Sequence, residues 1–419
     1  MDDKPPVRLR ARYVFTAAGP PLRDAVITLA GSRIASVGKR RADKSANDLG
    51  NAAILPGLVN AHTHLEFSDL KSPLGSHGMR FADWIHAVVA YRRRRTDAKR
   101  QAASLKGIAE SIRFGTTTLG EIATAGWLLE AFARDAPSSP ESTVFLETIG
   151  LRRNRFQAGL DAAKEHLTLS AKRGIRIGLS PHAPYTVSPE MVRRLAALSA
   201  VAAIPLTMHI AESPEELELL RTGKGPLRDM LVKLDAWDPQ AVPPGSSPLD
   251  YLRMIARAHR ALVIHGNYLS DEEIAFIGAN SQRLSVVYCP RTHAYFKHAP
   301  YPLGKLLKAG ITVALGTDSR ASNPDLNLFA EMRHVADHHS VAPHRIVAMG
   351  TLDGARALGR DNELGSLERG KRADLVVIRL PDAATRDPYE LLFDARSFVE
   401  TTIHQGRVVA GKPLTSGNS

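Results

Sequence analysis

An α/β fold is predicted for this 419-residue sequence: a (β/α)8 TIM barrel carrying a small β-sandwich domain built from both chain ends. Three features point to it. Through the middle of the chain, eight short apolar strands alternate with amphipathic helical stretches, the pattern of parallel βα units. Both ends read instead as short strands punctuated by Gly and Pro, and neither is long enough to enclose a core alone. Histidine and aspartate recur directly after the apolar runs, where a barrel gathers its strand tips on one rim.

At the N-terminus the strands are VRLRARYVFTA, DAVITLAG and SRIASVG, and RADLVVIRL and TTIHQGRVVAGKPL repeat their texture near the C-terminus. The expected division gives residues 1–54 and 368–419 to the β-sandwich and 55–367 to the barrel. The barrel strands are ILPGLVNAHTH, TTTLGEI, STVFLETIG, IRIGLSPHA, IPLTMHIAE, ALVIHGNYL, LSVVYCPRT and ITVALGTDS. Helical runs such as PEMVRRLAALSAVAA, SPEELELLRTG and DEEIAFIGAN separate them. Residues 222–250, rich in Pro, Gly and Ser, form an excursion after the fifth strand. No repeat of solenoid length is present.

Composition narrows the function classes. With 44% hydrophobic and 23% charged residues, wholesale disorder is excluded. No apolar run reaches the length of a membrane span, and MDDKPPVRLRARYVF has no signal-peptide core. The single cysteine, Cys289, rules out an internal disulfide framework and reads as a packed thiol. A cytoplasmic protein with no membrane partner is the expectation. The net charge of +12 raises the question of nucleic acid. Its densest basic run, YRRRRTDAKR at 91–100, reads as a solvated helix face, so no nucleic-acid partner is expected.

The strand tips carry the chemistry. In a strand, residues i and i+2 point the same way, so His62 and His64 both aim into the barrel mouth. With His209 from the fifth strand and Asp318 from the eighth they make a mixed N/O set suited to Zn²⁺ or Fe²⁺. One such histidine alone would be an ordinary core residue; four strands ending in ligand-type side chains would not. A bound divalent metal makes water nucleophilic at neutral pH. Asp318 can accept that water's proton, Glu212 can shuttle a proton to substrate, and His265 can bond the water or polarise the leaving group. For Glu212 the plainer reading is a helix N-terminal charge, since SPEEL follows.

The ordered set LPGLVNAHTH, PHAPYTV, HIAES, HGNYL, CPRT and GTDSRASN resembles the amidohydrolase superfamily. More narrowly it is similar to the branch of cytosine deaminases and S-adenosylhomocysteine/methylthioadenosine deaminases. The resemblance implies His62, His64, His209 and Asp318 as metal ligands, Glu212 as proton shuttle, His265 beside the water, and His182 at the substrate. It implies a small-molecule substrate and a homodimer. The segments HTHLEFSDL and AESPEELELL are similar to those of aminodeoxyfutalosine deaminases. Binuclear relatives hold a carboxylated lysine at the fourth strand, and IRIGLSPHAPYT has none, so one metal per chain is expected, Zn²⁺ before Fe²⁺.

This sequence departs from the resemblance at the pocket rim. Tyr288 and His293 stand where many relatives carry histidine and asparagine, and Ser319 where glycine is common. Candidate substrate-binding groups are Glu66, Trp84, Arg152, His182, Arg291 and His293, with Trp84 able to stack on a heterocycle. His334, His338 and His339 read as solvent-facing on a helix. The reaction expected is hydrolytic deamination of an adenine-type nucleoside or related aminated heterocycle. Alternatives are cleavage of another C–N or a C–Cl bond, as in triazine hydrolases, or a non-catalytic barrel used for binding.

Overall fold

The computed structural model describes residues 5–38, 45–132, 139–173 and 175–414, so MDDK of the N-terminal segment lies outside it. Five strands come first: β1 Val7–Val14, β2 Leu22–Ala30, β3 Arg33–Gly38, β4 Asn47–Asp48 and β5 Ala52–Pro56. Eight more follow: β6 Leu58–Thr63, β7 Thr116–Ala123, β8 Glu141–Thr148, β9 Arg176–Pro181, β10 Pro205–Ile210, β11 Arg260–His265, β12 Leu284–Tyr288 and β13 Val313–Leu315. The chain ends with β14 Leu375–Arg379, β15 Phe398–His404 and β16 Arg407–Gly411.

β6 to β13 form one parallel sheet in sequence order, the eight-stranded barrel. Its ends meet at the site described below. Thr63 bridges Asp318, and the Thr317 and Asp318 amides both donate to the His62 carbonyl at 3.1 Å. Gly316 permits this approach, because a Cβ there would lie 2.9 Å from His62 Cβ. Apolar residues of alternate strand positions, among them Val59, Ile122, Phe145, Leu262, Ile264 and Val287, fill the barrel with Ala355, Ala357 and Leu358.

The two chain ends join in a second, mixed sheet of order β16-β15-β14-β5-β1-β2-β3, with β4 also paired to β1. Its period-2 pattern divides two cores. In β5 and β14, Ala52, Ile54, Leu375 and Val377 face the sheet's own core, whereas Ala53, Leu55, Val376 and Ile378 pack with the barrel's helices. Each fully buried aliphatic side chain of this kind contributes about 1.5–3 kcal/mol. The single apolar run ILPGLVNAHTH proves to be two strands. β5 belongs to the end sheet and crosses the expected 54/55 boundary, and β6 opens the barrel. Gly57 separates them at a point where a Cβ would meet Thr117 Oγ1 at 2.1 Å.

Helices Pro189–Ala202, Pro214–Thr222 and Asp271–Ala279 start after Ser188, Ser213 and Ser270, each of whose hydroxyls accepts an amide of the first turn. The 222–250 excursion contains the helix Pro226–Lys233 and leads into Pro248–Ile255. Among the described residues, no helix is long and apolar enough to cross a membrane.

Candidate active site

The barrel's C-terminal rim brings His62 of β6, His64 just after it, His209 of β10, His265 of β11 and Asp318 after β13 into one cup. Ring centroids lie 4.9 Å apart for His62–His64 and for His62–His209, and 5.4 Å for His209–His265. Ligand-type nitrogens of His62, His64 and His209 all fall within 4.8 Å of one another. Asp318 Oδ1 lies 3.6 Å from His62 Nε2 and 3.7 Å from His64 Nε2, while its Oδ2 accepts from the Ser322 hydroxyl at 2.8 Å.

This donor set fits a divalent cation. Both ring nitrogens of His62 and the Nδ1 of His64 are buried with no hydrogen-bond partner. His209 Nδ1 lies 3.0 Å from the His182 carbonyl, which only accepts, so the proton sits there and the Nε2 lone pair is free. Burial, then the neighbouring His62 ring, holds His64 and His209 well below the ordinary imidazole range. Neutral imidazoles are the form that binds metal. Ala211, His265 and Asp318, all at the rim, adopt left-handed φ of 55°, 67° and 52°. Such strain in residues other than glycine gathers at working sites.

Two carboxyls at this rim differ in proton affinity. Burial raises Glu212 well above the usual carboxylate range, and Asp318 and Glu216 add to the effect. For Asp318 burial acts the same way, but the neighbouring His62 and His265 rings outweigh it and hold the group at about 2. Glu212 Oε1 approaches His265 Nε2 at 3.3 Å. Glu216 fixes the Glu212 backbone, since its carboxylate accepts the amides of Ala211 at 2.9 Å and Glu212 at 3.0 Å. The acid belonging to the helix start is therefore Glu216, and Glu212 points elsewhere, at His265.

A narrow cleft opens on this cup, and Phe67, Trp84, Ile85, Val88, Arg92, Glu147, His182, Tyr185 and Ser319 complete its wall. A family model described as the amidohydrolase family matches residues 53–409. The chain belongs to the amidohydrolase family. This amidohydrolase, a hydrolase by membership, is 31% identical to the 5-methylthioadenosine/S-adenosylhomocysteine deaminase of Moorella thermoacetica, with 95% of this chain and 92% of the relative covered. It is 28% identical to the aminodeoxyfutalosine deaminase of Deinococcus radiodurans, covering 84% and 85%. The crystal structure of Helicobacter pylori aminofutalosine deaminase in complex with methylthio-coformycin superposes with a TM-score of 0.82 at 24% identity, covering 96% of this chain and 100% of that one.

Of the substrate-binding residues expected from sequence, the amidohydrolase pocket is lined by Trp84 and His182. Trp84 donates Nε1–H to the Ala321 carbonyl at 2.9 Å, which fixes its ring. His182 is held near 3 by burial first, then by Arg92 and His62. Four residues are not brought to the pocket wall. Glu66 accepts from Arg92 Nε at 2.9 Å and from Thr124 at 3.3 Å. Arg152 pairs with the exposed Asp235. Arg291 is spent on Glu331 and Asp325, both at 2.6 Å. His293 Nε2 bonds the Ala299 carbonyl at 2.9 Å. Tyr288 stacks on Tyr301 at 3.7 Å and bonds His339, so His339 is not solvent-facing; His334 is half-buried and only His338 is exposed.

The basic run also departs from expectation. Arg93 and Arg94 are exposed, but Arg92 turns inward to bridge Glu66 and Glu147, and Arg95 pairs with Asp69 at 2.8 Å. Sequence reading passed over Arg92, Glu147, Tyr185 and Glu216. A usable signal existed for two of them. Arg92 stands at i+8 from Trp84, on the face that also carries Val88. Glu147 occupies a strand tip, as the histidines do.

Proposed function

We propose that this amidohydrolase is a metal-dependent deaminase of an adenine-type nucleoside, hydrolysing a carbon–nitrogen bond to release ammonia. Both curated relatives above carry deaminase names of this type and align over most of the chain. The observation that carries the reading is geometric: His62, His64, His209 and Asp318 converge in one cup, and Glu212 stands beside it, 3.3 Å from His265. A buried carboxyl raised above its ordinary range beside such a cup is placed to donate a proton to a bound molecule.

His62, His64, His209 and Asp318 would hold one divalent cation, and three imidazoles with one carboxylate favour Zn²⁺, although Fe²⁺ takes the same donors. When bound, such a cation supplies the Lewis acidity that makes a water molecule nucleophilic at neutral pH. Asp318 Oδ1 takes the proton of the attacking water. Glu212 gives its proton to the ring nitrogen beside the amine-bearing carbon, which makes that carbon electrophilic. His265, 3.3 Å from Glu212, orients the water and the departing amine. The proton collected by Asp318 goes to the amine, the carbon–nitrogen bond breaks to release ammonia, and the hydroxyl left on the ring carbon gives its proton back to Glu212 as it becomes a carbonyl. Phe67, Trp84, Ile85 and Val88 offer the heterocycle an apolar wall and exclude bulk water.

The test is ammonia release by the Zn²⁺-loaded protein from adenosine, methylthioadenosine, S-adenosylhomocysteine and aminodeoxyfutalosine. Turnover of at least one is expected. Fully metallated protein inert toward all four would refute the reading.

A further inference from the structure

Glu147, the penultimate residue of β8, lines the pocket with a side chain only 1% exposed. Its Oε2 accepts from Arg92 Nη1 at 3.2 Å, but its Oε1 is buried with no hydrogen-bond partner. A buried carboxylate oxygen left unpaired is costly, and such an atom at a pocket wall is matched by something that enters the pocket. His182 makes the lack of a donor sharper. Its Nδ1 bonds Thr186 Oγ1 at 2.6 Å, and that hydroxyl itself donates to the Ala183 carbonyl at 3.2 Å. Nδ1 therefore carries the proton, and Nε2 presents a lone pair 3.9 Å from Glu147 Oε1. Two acceptors stand side by side. Arg92 does not serve them, because its Nε and Nη2 go to Glu66 and its Nη1 to the other oxygen of Glu147.

We propose that Glu147 is a specificity-determining residue whose Oε1 accepts a hydrogen bond from a ribose hydroxyl of the substrate. The inference rests on the deaminase reading above. The wall asks for a hydrogen-bond donor. Once its amine is aimed at the histidine cup, an adenine nucleoside has its remaining O–H donors on the sugar. Glu147 is placed for them, because His182 stands between it and the cup, 5.0 Å from His209 between ring centroids. Glu66 is unsuited to the role, since its oxygens are taken by Arg92 and Thr124 and it lies off the pocket wall.

The experiment compares kcat/KM of the Zn²⁺-loaded protein on adenosine, 2′-deoxyadenosine and 3′-deoxyadenosine. The proteins are the wild type, Glu147→Gln and Glu66→Gln. Wild type is expected to prefer adenosine over at least one deoxynucleoside by about 10- to 100-fold, the range for a hydrogen bond to a charged acceptor. Glu147→Gln should shrink that ratio to within about 3-fold by the same reasoning. Glu66→Gln, which also loosens Arg92 but does not reach the pocket, should keep it. Equal wild-type rates on all three nucleosides overturn the proposal while leaving the deaminase reading intact. So does a ratio that survives in Glu147→Gln. Should Glu147→Gln fail to fold, Glu147→Asp retains the charge for Arg92, withdraws the oxygen by one methylene and must shrink the ratio likewise. If none of the three turns over, calorimetric binding of the same three nucleosides decides: the same pattern in Kd supports the role of Glu147, and its absence ends it, while the deaminase reading stands or falls on the four-substrate test.

Discussion

Glu141 opens β8 and ties the barrel to the end sheet. Its carboxylate meets Arg176 at 3.0 Å and Arg360 at 3.2 Å, and it bonds Arg372, which precedes β14. Burial alone would raise this group, but Arg372 and Arg360 outweigh it and hold it at about 2, against an ordinary 4.5. That gap of about 2.5 units corresponds to ~3 kcal/mol at ~1.4 kcal/mol per unit. The carboxylate is only 12% exposed, so solvent screening reduces the figure little. A depressed folded-state value means that the stabilisation is fully present above about pH 4.5 and disappears as pH falls toward about 2. Glu141→Gln should therefore lose ~3 kcal/mol at pH 7, and the deficit should shrink steadily below pH ~4.5. Urea denaturation of both proteins between pH 7 and pH 3 measures it. A deficit under ~1 kcal/mol at pH 7, the worth of an exposed ion pair, or one that ignores pH would refute the argument.

Other consequences concern the reaction. Glu212→Gln should keep KM within a few-fold and lower kcat by about 10²–10⁴, the worth of a positioned acid, in steady-state ammonia assays. A chelator should abolish turnover, Zn²⁺ should restore it, and the Tm should fall on chelation, because a ligand bound only by the folded state stabilises that state. Calorimetry with and without chelator checks the last point. Trp84→Ala should raise KM for nucleosides about 10-fold or more through lost aromatic contact, with metal content by elemental analysis unchanged.

Regular alternation made the fold readable. Every barrel strand was visible as a short apolar run, and the histidines stood out because imidazoles at the tips of buried strands need a reason. The break at Gly57 was hidden, because AAILPGLV is apolar on both sides of it and only the packing of Gly57 against Thr117 separates the two sheets. At the site, residues held by their own strand were legible, as with His62, His64, His209 and His265. Residues whose role depends on a distant partner were not. Arg92 and Arg291 look alike in sequence. One lines the pocket because Glu66 and Glu147 draw it inward, and the other is drawn to Glu331 and Asp325. Arginine side chains reach far enough that the location of the opposing acid, which local sequence does not report, decides where each one points.

The meeting of His62 with Asp318 also has a mechanical consequence. These two residues are the first and last staves of the barrel, and most of the chain lies in the loop between them. An ion gripped by both would work as a hasp across that join, favouring the closed barrel by mass action for as long as it stays bound. Stripping the ion should therefore loosen the join before it melts any helix. Proteases should then cut first near the Asn60–His64 and Thr317–Ser322 segments, so that digestion patterns report on occupancy without any substrate present.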